Sequence, residues 1–334
     1  MVRMVVIALA LGLSACQGFL MSSTGDMMGA YTTKHLVPYN LASPDPAMTC
    51  QIAEATGNLL LSYHRVTDAP HKGYVSTLAS AGICEEARIY EAELRGLRAL
   101  KRGDSAEAQD ARFAEQRHHA VAARRFYRAW QHMHMLFKEK GADGCPAFEE
   151  DEEHSDEVAW LVGHVAAVQA VQHDRAAKGE VGVPTDLPQQ VARSIRCLDN
   201  EKWWGAPAAL QAAIWTSVPG SGPEGVDPWA QLTQATEIAK KSGIRVAFAI
   251  AAQAAEGSGR EDEMRKQIKA FLAAGAVAPP KKWQMFDLQA QANVRHQSDR
   301  AWTKALGHRT PTGELGSFPG EAAAEPEGPS IFDE

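Results

Sequence analysis

Nowhere along its 334 residues does this chain alternate apolar and polar side chains as a half-buried strand would. Helix starts and stops recur instead. Gly103, Gly141, Gly179, Gly243 and Gly257 each close a run that reads as helix. The clearest start is Asp227-Pro228: the aspartate offers an N-cap oxygen, and proline at the first helical position loses no hydrogen bond. Lys240 and Lys241 then sit in the last turn before Gly243, where they complement the helix dipole. The punctuation predicts about ten helices, over 46–66, 74–101, 105–140, 155–178, 187–198, 206–218, 228–242, 244–256, 261–274 and 283–306. Short connections make them an all-α domain of antiparallel pairs.

Pairing raises the question of a repeat. Trp229-x-x-Leu232 matches the start of the tetratricopeptide pattern, and Trp160-x-x-Gly163 matches it in part. Ala247 and Ala251 in the following helix have the small-residue spacing by which such pairs approach closely. Asp227 and the next helix start near Ser258 are separated by close to the repeat length of about 34 residues. The expectation is a tetratricopeptide-like, right-handed array over residues 46–307.

The ends read differently. One basic residue, Arg3, precedes a short apolar run, too short to span a bilayer, so residues 1–15 read as a secretory signal. The run ends in Leu13-Ser14-Ala15-Cys16, similar to a bacterial lipobox, which makes Cys16 the lipid-anchor candidate. With Gln17 rather than aspartate after it, the expected address is the outer membrane, facing the periplasm. Residues 16–45 are expected to be a flexible tether, and 308–334, rich in Pro, Gly and Glu, a disordered tail. Besides Cys16 there are Cys50, Cys84, Cys145 and Cys197, enough for two disulfides in an oxidising compartment, with three connectivities. Cys50 and Cys84 fall on consecutive antiparallel helices, so Cys50–Cys84 with Cys145–Cys197 is the preferred pairing. A net charge of −7 argues against nucleic acid as the partner.

The motifs of chemistry are thin. Gly220 to Gly225 reads GSGPEG and fits G-x-G-x-x-G, but a helix precedes it, Pro223 removes an N–H, and Asp227 would repel phosphate. His132-Met133-His134-Met135 has copper-ligand types, yet residues two apart on a helix face away from each other, so no metal is expected there. His164 and His173 read as packing or surface residues. The acidic run Glu149–Glu153 is solvated, contacts a basic partner, or faces the arginines of the preceding helix: Arg112, Arg117, Arg124, Arg125 and Arg128. With no H-E-x-x-H, G-x-S-x-G or P-loop, neither an enzyme nor a cofactor is expected. The better lead is Trp203, Trp204, Trp215 and Trp229 with alanines between them. Small residues leave room and indoles supply wall, which marks these four as candidates for an apolar pocket.

Several segments in order are similar to the T component of tripartite ATP-independent periplasmic (TRAP) transporters. They are the lipobox, then RRFYRAWQHMHMLFKEKG with DEVAWLVGHVAAVQAVQHD, then WWGAPAALQAAIWTSVP with its glycine loop, and the amphipathic helices that follow. The glycine loop departs from the family's adjacent Gly-Gly, and the N-terminal third matches weakly. The resemblance implies a non-enzymatic, tetratricopeptide-like lipoprotein, able to form a homotrimer with an apolar pore. It would associate with the transporter's periplasmic solute-binding protein and bind a small apolar or carboxylate ligand. The rival expectation is a helical-repeat scaffold for protein–protein contacts in the envelope.

Overall fold

The computed structural model describes residues 20–67, 72–138, 141, 144–218 and 220–321. The expected signal segment 1–15 and the lipid-anchor candidate Cys16 lie outside them. Ten principal helices follow in order: α1 (Pro46–Tyr63), α2 (Lys72–Arg102), α3 (Ser105–Leu136), α4 (Ser155–Ala176), α5 (Leu187–Ser194), α6 (Ala206–Ser217), α7 (Pro228–Ser242), α8 (Val246–Gly257), α9 (Glu261–Ala273) and α10 (Gln284–Leu306). No strand occurs among the described residues, and the fold is an all-α array. α7 starts as its sequence dictates: the Asp227 carboxylate accepts from the Trp229 N–H at 2.9 Å, Pro228 follows, and the helix stops at Gly243. α3 ends a turn earlier than expected, because Phe137 leaves the helix to pack edge-on to Trp160, ring centroids 5.3 Å apart.

Neighbours in sequence pack on one another from α1 through α4, then α4 on α5, α5 on α6, α6 on α7 and α8 on α9. The even-numbered helices also meet across the array: α2 packs on α4, α6 on α8, and α8 on α10. α10 returns to pack on α2, so the last helix joins the end of the array to its beginning. The interior forms two apolar clusters that meet on α6. Leu210 and Ile214 belong to the cluster shared with α2–α5, and Ala209 and Ala212 to the cluster shared with α7–α10.

The structure joins Cys50 to Cys84, with Cα atoms 5.3 Å apart, and Cys145 to Cys197, at 5.5 Å. They close loops of 34 and 52 residues, and chain entropy assigns each about 4 kcal/mol. Both lie N-terminal to α6.

Three expectations are corrected. The described part of the tether is not loose: residues 20–31 are helical and continue through a π-helical turn, Thr32–Leu36, into a short helix, Val37–Leu41. Its small residues had read as linker composition, but they permit close approach to the domain. Gly25 backs onto Tyr63 and Thr67, where a β-carbon would come within 2.8 Å of the threonine methyl. Thr32 is buried, and the Thr33 hydroxyl accepts from the Gly73 N–H at 2.9 Å. The beginning of the expected disordered tail also packs. Trp302 donates its indole N–H to the Ser317 carbonyl at 3.1 Å, and Phe318 is buried beneath the Arg265 guanidinium. Finally, the acidic run does not face the α3 arginines. Glu149 pairs with Lys72 at 2.9 Å and Glu153 with Lys282 at 3.2 Å, while Arg124 pairs with Glu180 and Arg125 with Glu54.

Candidate functional site

A cavity of about 530 Å³ runs between α2, α4, α6, α8 and α10. Its lower wall is apolar: Leu161 and Val165 from α4, Leu210 and Ile214 from α6, Ile250 from α8 and Phe286 from α10. Ala79, Ala206, Ala213, Ala249 and Ala290 keep it open, since a larger side chain at any of these would fill it. The sequence produces this space by placing alanine on the inward faces of helices whose other apolar positions carry Leu, Ile and Phe.

The four tryptophans divide. Trp204 lines the cavity, with Phe286 beside it at 5.3 Å between ring centroids. Trp203, only 1% exposed, packs behind it against Trp283. Trp215 points away, into the core near Gly222 of the connecting loop. Trp229 lies under the Arg260 guanidinium, 4.1 Å from its centre. Of the four candidates, therefore, one forms the wall and three do not. The alanines between them were the better signal.

At the far end a second, polar cavity of about 220 Å³ adjoins the first, and Glu86, Gln172, Gln253, Glu256, Asn293 and Arg300 are among the side chains that line both. These residues sit in the C-terminal halves of α4 and α8, in the middle and C-terminal parts of α10, and midway along α2. The Arg300 Nε lies 2.6 Å from Glu93, and its Nη1 donates to Glu256. His296 Nε2 meets Glu93 at 2.8 Å. Burial opposes the Glu93 charge, but the bond from His296 and the Arg300 charge outweigh it and leave the carboxyl below its usual range. Glu86, almost fully buried, has an imidazole as its partner: His173 Nε2 lies 3.1 Å away. His173 Nδ1 in turn lies 2.8 Å from His119 Nδ1. The Tyr90 phenol is pushed well up by burial and then by the Glu86 and Glu93 charges.

Gln297 is the least satisfied group here. It lines the polar cavity at 3% exposure, and neither its amide oxygen nor its amide nitrogen has a partner. An unpaired buried amide costs about 1–3 kcal/mol per group. Sequence reading assigned His173 to packing or surface and overlooked Glu86, His296, Gln297 and Arg300. They come from three helices far apart in the chain, and no short motif joins them.

The remaining histidines do not line either cavity. His164, buried, is held by the Trp160 carbonyl and the Ser194 hydroxyl, each at 2.6 Å. His134 stacks on Trp130, whereas His132 is buried on α3, its ring stacked on His64 and edge-on to Tyr74. Burial, followed by the His64 and Arg128 charges, holds the His132 imidazole down to about 4. Above pH 6.5 it is neutral in both folded and unfolded chains, so it adds no pH dependence. Below that, the unfolded chain takes up a proton that the fold refuses, and stability falls until the pH nears 4. Between pH 7.5 and pH 5, His132 is expected to contribute a loss of about 2 kcal/mol in urea unfolding, read as the difference between wild type and His132→Phe.

No protein-family model, curated protein or solved structure matches this chain.

Proposed function

We propose that this protein is a non-enzymatic, lipid-anchored accessory component of a TRAP-type transporter. It binds the periplasmic solute-binding protein and accommodates the apolar part of a small ligand. The observation that carries this reading is the cavity of about 530 Å³ with apolar walls contributed by five helices. A space of that size falls in the range that natural small-molecule sites occupy. The order of segments similar to the T component supplies the transporter context, and the lipobox at Cys16 the anchor to the outer membrane. A pure scaffold has no need of such a void, which costs packing energy along its whole wall. The packed surroundings of Trp215 are what a scaffold would offer, and they concern only that part of α6.

The test is capture of a partner and of a probe by the same preparation. Full-length protein in detergent, mixed with periplasmic extract of its host, is expected to retain a solute-binding protein identified by mass spectrometry. It is also expected to bind a neutral fluorophore such as N-phenyl-1-naphthylamine. Probe binding without that partner removes the transporter assignment and leaves a ligand-binding lipoprotein. Capture of other envelope proteins with no probe binding favours the scaffold.

A further inference from the structure

The ligand site proposed above has an electrostatic character that its apolar walls do not reveal. The polar cavity at its end is lined by four carboxylates, Glu86, Glu93, Glu115 and Glu256, and by one guanidinium, Arg300. That guanidinium is already held by two of them, Glu93 and Glu256. The three imidazoles present, His119, His173 and His296, carry charge only when protonated. Glu86 is therefore an almost fully buried carboxylate opposed by an imidazole alone. α8 also ends at this site, with Glu256 and Gly257 on the cavity wall, and the carbonyl end of a helix carries partial negative charge. Arg175 sits on the rim of the apolar cavity, exposed to water that screens it, and does not line the polar one.

Gln297 provides an independent indication that something binds here. Its unpartnered oxygen seeks an N–H or O–H, and its unpartnered nitrogen seeks an oxygen. No side chain around it supplies either.

We propose that the joined cavities take an amphiphile with a hydrocarbon chain and a protonated amine. The chain lies along the α4–α6–α8–α10 wall and the amine sits at the end lined by Glu86 and Gln297. The Gln297 oxygen accepts from the ammonium, Glu86 supplies the opposing charge, and the Gln297 nitrogen is left for a hydroxyl on the ligand or a water. A carboxylate head group would enter a region lined by four carboxylates and one guanidinium, and that guanidinium is already engaged by Glu93 and Glu256. The carboxylate ligand implied by the family resemblance is thus the disfavoured member of the pair.

This inference rests on the cavity being a ligand site, and one experiment separates the two. Decylammonium, decanoate and decanol, each below its micellar concentration, compete against N-phenyl-1-naphthylamine on the full-length protein. Decylammonium is expected to displace the probe at least about tenfold more tightly than decanoate, since unlike charges at close range favour the former and like charges oppose the latter. Glu86→Gln is expected to shrink that ratio to about threefold or less. A decanoate affinity equal to or above that of decylammonium, with the probe bound, overturns the proposal and leaves the apolar site standing. If the probe does not bind at all, the site itself is refuted and the proposal with it. The wild-type series decides the matter even if the Glu86 variant folds poorly.

Discussion

Replacing Ala213 and Ala249 together by phenylalanine is expected to abolish most binding of a neutral apolar probe while leaving the fold in place. Both alanines line the cavity, one from α6 and one from α8, and the new rings would project into space that is empty of protein atoms. Excluding about four methylenes of an aliphatic ligand costs about 3 kcal/mol, or roughly a hundredfold in Kd. Because the rings fill a void rather than displace packed atoms, the thermal midpoint is expected to stay near wild type or rise. Titration of N-phenyl-1-naphthylamine beside a circular-dichroism melt reads both quantities. An unchanged probe affinity in a folded variant would show that the cavity is not where apolar ligands bind.

Gly205→Ala is expected to be the most destabilising single-methyl change in the second half of the chain. Gly205 follows Trp203-Trp204 and caps α6 with a φ of +75°. An alanine there adopts the left-handed region at a cost of about 1 kcal/mol or more. Its β-carbon would also lie 2.3 Å from the carbonyl oxygen of Ala235 on α7, which cannot rotate away as a side chain would. Separating α6 from α7 adds an overpacking cost of about 1–3 kcal/mol, for a total near 3 kcal/mol in urea unfolding. Trp204 lines the cavity one residue earlier, so probe affinity should weaken in parallel. A loss under about 1 kcal/mol would mean that the α6–α7 contact yields easily.

Helix number and order were legible because caps are local chemistry. Asp227-Pro228, the glycine stops and the acidic first turn at Glu261 act within one turn of where they stand. The arm before α1 was not legible, since Gly25, Thr32 and Thr33 have the composition of a linker. Only the facing Gly73, Tyr63 and Thr67 turn those small residues into a packed surface. Phe318 was missed for the same reason: a single aromatic in a Pro/Gly-rich stretch gives no period, and its burial depends on Arg265 from α9. The cavity was half legible. The alanine-rich stretch of α6 marked its location, while the tryptophans drew attention to core packing. Its polar end could not be read, because Glu86, His173 and Gln297 are brought together by three helices across more than half the chain.

The packing of α10 on both α2 and α8 has a consequence for how such a chain can evolve. An open stack of helical repeats can lengthen or shorten by whole repeats, because each one needs only its neighbours. Here the last helix must still reach the first long one, so the circumference is fixed much as strand number fixes a barrel. Inserting a helix pair between α4 and α8 would part α10 from α2 and flood the interior. Diversification is therefore confined to what the inward-facing alanines become and to loops outside the closure, and the width of the bore is inherited as one piece.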